Sequence, residues 1–489
     1  MQKLTVIQVL AVLLAVVVPA AATNTYPIVL VHGFSGWGRD ELLGYKYWGG
    51  IQGDLQEQLK VQGYTVYTAA VGPFSSNWDR ACELYAQIKG GQVDYGINHA
   101  AKYSHARYGR NYTGLYPAWG TTTNGKVNKI HLIGHSMGGQ TIRMLAQLLE
   151  KGSTGAPVVE ATTTSALFAG GKNWVHSITT ISTPNQGTTL ADGISVFGEA
   201  VEDLVVGVFA ALGIAGSSTT TIYDAKLDQW GIAARGSSES LTSYLTRVLS
   251  SSIFKPGFKD ISLWSLSTAG ATEEATWVTT LSNIYYYSYA TLDTYSAYNL
   301  LLQKIQLPNI LTMLAPLDAT AVFIGGRYAP DTLKLSEDWQ ANDGVVPTYS
   351  MLKDSVGSAV TYSGTSVIGK WNKMTQLSNM DHVAVIGVTL LTEILDLYAA
   401  HAALLAGLPA DSSRRLSDEV IEAEAAVEAA AASNLDTAIS ALLTKAASIQ
   451  TKDDLESLCA SPSNSYALNY CATMIANANS ESSRRRLRG

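Results

Sequence analysis

Five residues, Gly134-His135-Ser136-Met137-Gly138, constrain this chain more than any others. The segment Lys129 to Ile133, read as a buried strand, precedes them, and Ser136 to Glu150 follows with apolar residues at helical spacing (Ile142, Leu145, Leu149). A serine between a buried strand and a helix, with glycines two positions to either side, fits a sharp strand-to-helix turn. Such a turn lifts the hydroxyl clear of the sheet and leaves no room for flanking side chains. A glycine-rich helix start capped by serine would leave the same letters. The strand before it favours the turn.

Other segments repeat the alternation. Ile28 to Val31 reads as a buried strand ending in the loop His32-Gly33-Phe34, Gly53 to Gln62 as a short helix and Tyr64 to Ala70 as a strand. Val175 to Ile181 and Tyr285 to Tyr289 are further strands, and Ala321 to Ile324 and Val383 to Gly387 are read as later strand pieces. Strand and helix in alternation predict an α/β fold: a mostly parallel central sheet with helices on both faces. With 489 residues, 47% of them hydrophobic, the chain can bury a large core. A net charge of −7 gives no reason to expect a nucleic-acid partner.

The ends differ from the body. Lys3, the apolar run Leu4 to Val18 and the small residues Pro19 to Ala22 read as an export signal over residues 1–22, followed by the main α/β domain over 23–407. No later stretch is read as a membrane span. Residues 408–489 form an Ala- and Glu-rich helical extension with a basic end, Arg484 to Arg488. Cys82 reads as a buried thiol, while Cys459 and Cys471 are near enough in sequence to close a small loop in an oxidising compartment. Asn111-Tyr112-Thr113 is a glycosylation sequon.

A serine on such a turn needs an oxyanion hole, an acid and a base. The residue after the nucleophile, Met137, supplies one backbone N–H, and the loop after the first strand supplies the other at Phe34. The chain order serine, acid, histidine leaves His176, His382 and His401 as bases. His176 lies inside an apolar strand, and His401 lies in an Ala- and Leu-rich helix and is expected to be exposed. His382, on a loop, is therefore the base. For the acid, Asp343 in the turn Asn342-Asp343-Gly344 competes with Asp318, Asp338 and Asp381. Such a set performs acyl transfer: the imidazole takes the serine proton, and an acyl-enzyme forms and is hydrolysed.

Longer stretches carry a family resemblance. They are Ile28 to Arg39 (IVLVHGFSGWGR), Tyr45 to Gly50 (YKYWGG), Val71 to Gln87 (VGPFSSNWDRACELYAQ), Val93 to Gly96 (VDYG), Gly134 to Met144 (GHSMGGQTIRM) and Tyr223 to Gly231 (YDAKLDQWG). The chain resembles the thermoalkalophilic triacylglycerol lipases of Bacillus, Geobacillus and Staphylococcus, of the α/β-hydrolase fold, from about Pro27 to Gly387. The resemblance implies Ser136 as nucleophile, Asp343 as acid, His382 as base, and Phe34 and Met137 as oxyanion donors; the family usually has glutamine where Met137 stands. It implies a structural zinc ion held by Asp79, His99, His105 and Asp228, with Tyr103 where some relatives have another histidine. Calcium is expected to be absent, because the family's carboxylate ligands fall on Ala384 and Thr389. Gly193 to Gly216 aligns with the family's lid. The expected protein is secreted and cleaves acylglycerols at a lipid–water interface. A short-chain esterase and a non-catalytic hydrolase-fold binding protein are the competing readings.

Overall fold

The computed structural model describes residues 24–194, 223–255, 257–327, 335–390 and 393–410. The export segment, all but the start of the aligned lid, Cys459, Cys471 and all but the first residues of the extension lie outside them. The division by internal contacts falls between Leu408 and Pro409.

Seven strands make the central sheet: β1 (Ile28–Val31), β2 (Val66–Ala69), β3 (Ile130–His135), β4 (Val175–Ile181), β5 (Tyr285–Tyr289), β6 (Ala359–Thr361) and β7 (Trp371–Lys373). Their spatial order is β6-β7-β5-β4-β3-β1-β2, and every pairing is parallel. β1, β3, β4 and β5 are buried along their whole length, as strands covered on both faces must be. Side chains alternate between two cores. Ile28, Leu30, Ile133 and Ile181 enter one, and Val29, Val31, Leu132 and Ile178 the other. A fully buried Val, Leu or Ile contributes about 1.5–3 kcal/mol, so these continuous apolar runs define the sheet.

Helices α1 (Leu55–Val61), α2 (Asn77–Lys89), α3 (Ile97–Tyr103), α4 (Met137–Lys151), α5 (Asp318–Gly325) and α6 (Leu395–Ala406) matter for the site. Between α2 and α4 an insertion pairs Gly91–Asp94 antiparallel with Tyr108–Tyr112 and carries α3. Asn111 is exposed on its outer strand.

Three expectations are corrected. Ala321 to Ile324 is not a strand but part of α5, and Val383 to Gly387 holds a 3-10 turn, Ala384–Ile386. His401 is buried: Thr179 Oγ1 lies 2.7 Å from its Nε2 and Tyr289 Oη 3.0 Å from its Nδ1. Burial pushes this imidazole down to about 3, so it is neutral. His176 is buried within β4.

Candidate active site and metal cluster

The sheet reverses its winding at β1, whose neighbours are β2 on one side and β3 on the other, and ligands bind at the carboxyl edge of such a switch point. Register pairs Val31 with Gly134, so the loops after β1 and β3 meet there. Ser136 takes φ 55° and ψ −132°, a strained turn for a side-chain-bearing residue. Packing permits the turn only with glycine beside it. A Cβ on Gly138 would stand 2.2 Å from the Val31 carbonyl oxygen, and one on Gly33 would stand 2.6 Å from Ser136 Cβ.

Two hydrogen bonds link three distant side chains. Ser136 Oγ lies 2.9 Å from His382 Nε2, and His382 Nδ1 lies 2.8 Å from Asp343 Oδ2. The same Asp343 oxygen accepts from Thr291 Oγ1 at 2.7 Å, and Asp343 Oδ1 accepts the Val345 and Val346 N–H groups at 3.1 and 2.8 Å. The His382 N–H donates to the Asp343 carbonyl at 2.9 Å, tying the two residues together through the backbone as well. Of the competing aspartates, Asp381 accepts the Leu314, Val383 and Ala384 N–H groups and so shapes the histidine loop. Asp338 bonds Ser336 at the surface, and Asp318 begins α5. Among the described residues, the N–H groups of Phe34 and Met137 have no acceptor, which leaves both available to an incoming oxyanion.

Two supports for this site lie in the recognised stretches without having been singled out in sequence. The Gly33 N–H donates to Tyr47 Oη at 2.9 Å, and the Tyr47 hydroxyl donates to His135 Nδ1 at 2.7 Å. His135 Nε2–H then donates to the His382 carbonyl at 2.8 Å. Burial, with His382 adding to it, keeps His135 neutral, as this tautomer requires. The second support is Arg80, fully buried on α2. Its guanidinium donates to the carbonyls of Gly72 at 2.8 Å and His32 at 2.5 Å and to Thr141 Oγ1 at 2.8 Å. Each buried carbonyl left without that donor would cost about 1–3 kcal/mol. The loop that leads to Phe34 is thus held from beneath by one cation.

Near Arg80, Glu83 accepts the Gly72 N–H and the Tyr95 hydroxyl. Burial pushes its carboxyl up to about 7, against the lowering effect of the Gly72 N–H. An acid raised on folding retains a proton that the unfolded chain has already lost. Its stabilisation is full below the unfolded value near 4.5 and disappears as pH rises to about 7, a change of about 3 kcal/mol. Urea unfolding between pH 5 and 8 should show this decline in the wild type. Glu83→Gln should make it shallower, leaving the part due to Glu274, which burial also pushes up to about 7, and equal slopes in both proteins would exclude Glu83 as a source.

The expected metal ligands are only partly brought together. Asp79, His99 and His105 converge, and the fourth member is Asp260, not Asp228. His99 Nε2 lies 3.3 Å from Asp79 Oδ1 and 3.2 Å from Asp260 Oδ1, and His105 Nε2 lies 3.3 Å from Asp260 Oδ2. Asp260 reaches the cluster because Ile261 bridges Ser75 and the Ser262 N–H donates to the Phe74 carbonyl at 3.0 Å, beside the start of α2. Asp228 is instead paired with Arg110, whose Nη2 is 2.9 Å from its Oδ1, and its side chain is 45% exposed. The next residue, Gln229, donates to Asp79 Oδ2 at 3.0 Å, so this segment buttresses a cluster member without supplying one.

The donor set fits a tetrahedral cation. Asp79 Oδ1, His99 Nε2, His105 Nε2 and Asp260 Oδ2 are all buried without a hydrogen-bond partner. Zinc bonds near 2.0 Å give a tetrahedron with edges of about 3.3 Å, close to the separations here. His105 Nδ1 donates to the Ala106 carbonyl at 2.8 Å, fixing the tautomer that turns Nε2 inward. Burial alone would lower His99, but Asp260 and Asp79 outweigh it and push it up to about 9. Burial likewise raises Asp79, with Asp260 adding to the effect. These are the marks of two carboxylates facing two imidazoles around one small space.

Comparison with known proteins agrees with the geometry. The profile described as "Lipase-like, C-terminal domain" matches residues 24–408. Lipase 2 of Staphylococcus aureus (strain MSSA476) is 37% identical over 379 residues, covering 75% of this chain and 51% of its own length. The chain therefore spans about half the length of the curated relatives it matches. Among solved structures, EstA from Clostridium botulinum is 44% identical with a TM-score of 0.71, covering 81% of this chain and 90% of that one. Lipase 1 from Pelosinus fermentans is 48% identical with a TM-score of 0.69, covering 79% and 99%. Staphylococcus hyicus lipase is 31% identical with a TM-score of 0.62, covering 80% and 98%. With its parallel sheet, its serine turn and these matches, the chain belongs to the lipase-like C-terminal domain family, the family of the staphylococcal lipases.

Proposed function

We propose that the protein is a secreted triacylglycerol lipase acting through a Ser136 acyl-enzyme. The observation that carries this reading is the unbroken hydrogen-bonded path Ser136–His382–Asp343 beside two backbone N–H groups that have no acceptor among the described residues. His382 Nε2 takes the Ser136 proton as Oγ attacks the acyl carbon, and the charge that develops on the carbonyl oxygen falls to the Phe34 and Met137 N–H groups. Asp343 holds the imidazole in the tautomer that can accept and then steadies the imidazolium. His382 returns the proton to the departing alcohol, and a water activated the same way releases the acid.

Asp79, His99, His105 and Asp260 would hold zinc, which in a shell filled by four protein ligands supplies a structural cross-link. Export rests on the Lys3 and Leu4 to Val18 segment. Among the described residues no helix is long and apolar enough to cross a membrane.

Wild type and Ser136→Ala should be compared on emulsified triolein and on a soluble butyrate ester. The variant is expected to lose activity by a factor on the order of 10⁴ to 10⁶ on both. Retained activity would remove Ser136 from the mechanism, and wild-type turnover of the soluble ester alone would make the protein a short-chain esterase.

A further inference from the structure

Two strands, Thr294–Tyr298 and Lys304–Pro308, form an antiparallel hairpin whose tip is Leu300-Leu301-Leu302. These three leucines are 103%, 77% and 83% exposed. Tyr295 and Tyr298 are exposed along the shaft, and Ile310 and Leu311 at the turn that follows. From Thr294 to Thr312 the only charged residue is Lys304. Single exposed apolar residues are ordinary on a soluble protein, but three consecutive exposed leucines at a hairpin tip mark a contact surface.

The tip is built to hold that exposure. Asn299 Oδ1 accepts the Leu301 and Gln303 N–H groups at 2.9 and 3.0 Å, and the Leu302 N–H donates to the Asn299 carbonyl at 2.9 Å. Leu302 sits at φ 58°, where glycine or asparagine is the usual occupant. Three tip amides are therefore satisfied from within, at some backbone cost, while the side chains point outward. A partner rich in hydrogen-bonding groups would not require this. A hydrocarbon phase would, because it offers amides nothing. Tyrosines on the shaft suit the boundary layer between water and acyl chains.

The hairpin's base joins the catalytic loops. The chain leaves β5 at the carboxyl edge, and the Asp293 N–H donates to the Asn342 carbonyl at 3.0 Å. Thr294 Oγ1 accepts the Asn342 N–H at 3.1 Å, next to Asp343. On the return, the Leu314 N–H donates to Asp381 Oδ2 at 2.7 Å, next to His382. A second copy of the chain is a poorer occupant, since a tip three residues wide falls short of the roughly 800 Å² per partner that a stable dimer needs.

We infer that the Leu300–Leu302 hairpin tip inserts into the surface of a neutral lipid aggregate and holds the catalytic edge against it. This rests on the lipase reading and deepens it by naming the element that binds the aggregate. With net charge −7, attachment should depend on apolar insertion and not on anionic headgroups.

The test is flotation of the full chain with phosphatidylcholine-coated triolein droplets, alongside turnover of the droplets and of a soluble butyrate ester. The triple variant Leu300→Ser, Leu301→Ser, Leu302→Ser should lose at least tenfold in droplet binding and droplet turnover and keep its turnover of the soluble ester. Leu300→Asp alone should act in the same direction, and Val61→Ser, at an exposed site on α1, should change nothing. Undiminished flotation of both tip variants would overturn the inference. So would a change in sedimentation mass without a change in flotation, which would assign the tip to self-association. Wild type that floats but hydrolyses neither substrate would instead fail the lipase reading and leave the surface standing.

Discussion

Asp343→Asn should lower kcat on a soluble ester by about 10⁴-fold while the melting temperature changes little. Asp343 accepts hydrogen bonds on both oxygens, from the Val345 and Val346 N–H groups on Oδ1 and from His382 Nδ1 and Thr291 on Oδ2. An asparagine must keep its carbonyl toward the two backbone donors, because an amide nitrogen there would face two N–H groups. Its NH₂ group then faces His382 Nδ1 and turns that nitrogen into an acceptor. The single imidazole proton moves to Nε2, where it points at Ser136 and cannot receive the serine proton. Thr291 can rotate its hydroxyl, so the buried network survives with its sense reversed. Steady-state rates across pH would check this, and a loss under tenfold would mean that Asp343 is not the acid.

The second large effect concerns the cluster on α2. Asp260→Ala should reduce bound zinc from one per chain to near zero, whereas Asp228→Ala should leave the metal in place. Metal content after dialysis would decide, and the opposite pattern would return the fourth ligand to Asp228. The stability supplied by metal should vanish with Asp260, about 4 kcal/mol where free metal exceeds its Kd a thousandfold. Affinity should also fall as pH falls. Without metal, the carboxylates push His99 up to about 9 despite burial, so below that value each ion must displace a proton, at roughly tenfold in affinity per pH unit.

Local features of this fold were legible in the sequence, and long-range ones were legible only where their residues left few choices. The β4 and β5 runs and the serine turn declare themselves because each lies within a dozen residues and has one dominant pattern. Ala321 to Ile324 does not, since four apolar residues fit a buried strand and a buried helix equally, and Asp318 before them starts a helix. His401 was misread because the Ala- and Leu-rich α6 suggested a solvated helix. In fact it buries Tyr398, His401, Ala402 and Leu405 together. Chain order isolated His382, but nothing local distinguished Asp343 from Asp381, whose carboxylate also caps a loop at the site. Asp260 carried no sequence signal, because the bridge between Ser75 and Ile261 that delivers it spans about half of the domain. The resemblance found three of the four cluster members and mistook for the fourth a neighbour that merely steadies them.

Asp79 and Arg80 are consecutive on the first turn of α2, one turned toward the cluster and the other toward the carbonyls beneath Phe34. A single turn of backbone is therefore the common mounting for the four-residue cluster and for the loop that carries Phe34. Stripping the ion would slacken that mounting from one side, so a chelator should weaken catalysis without ever approaching the substrate, and heat tolerance of the rate should track metal occupancy.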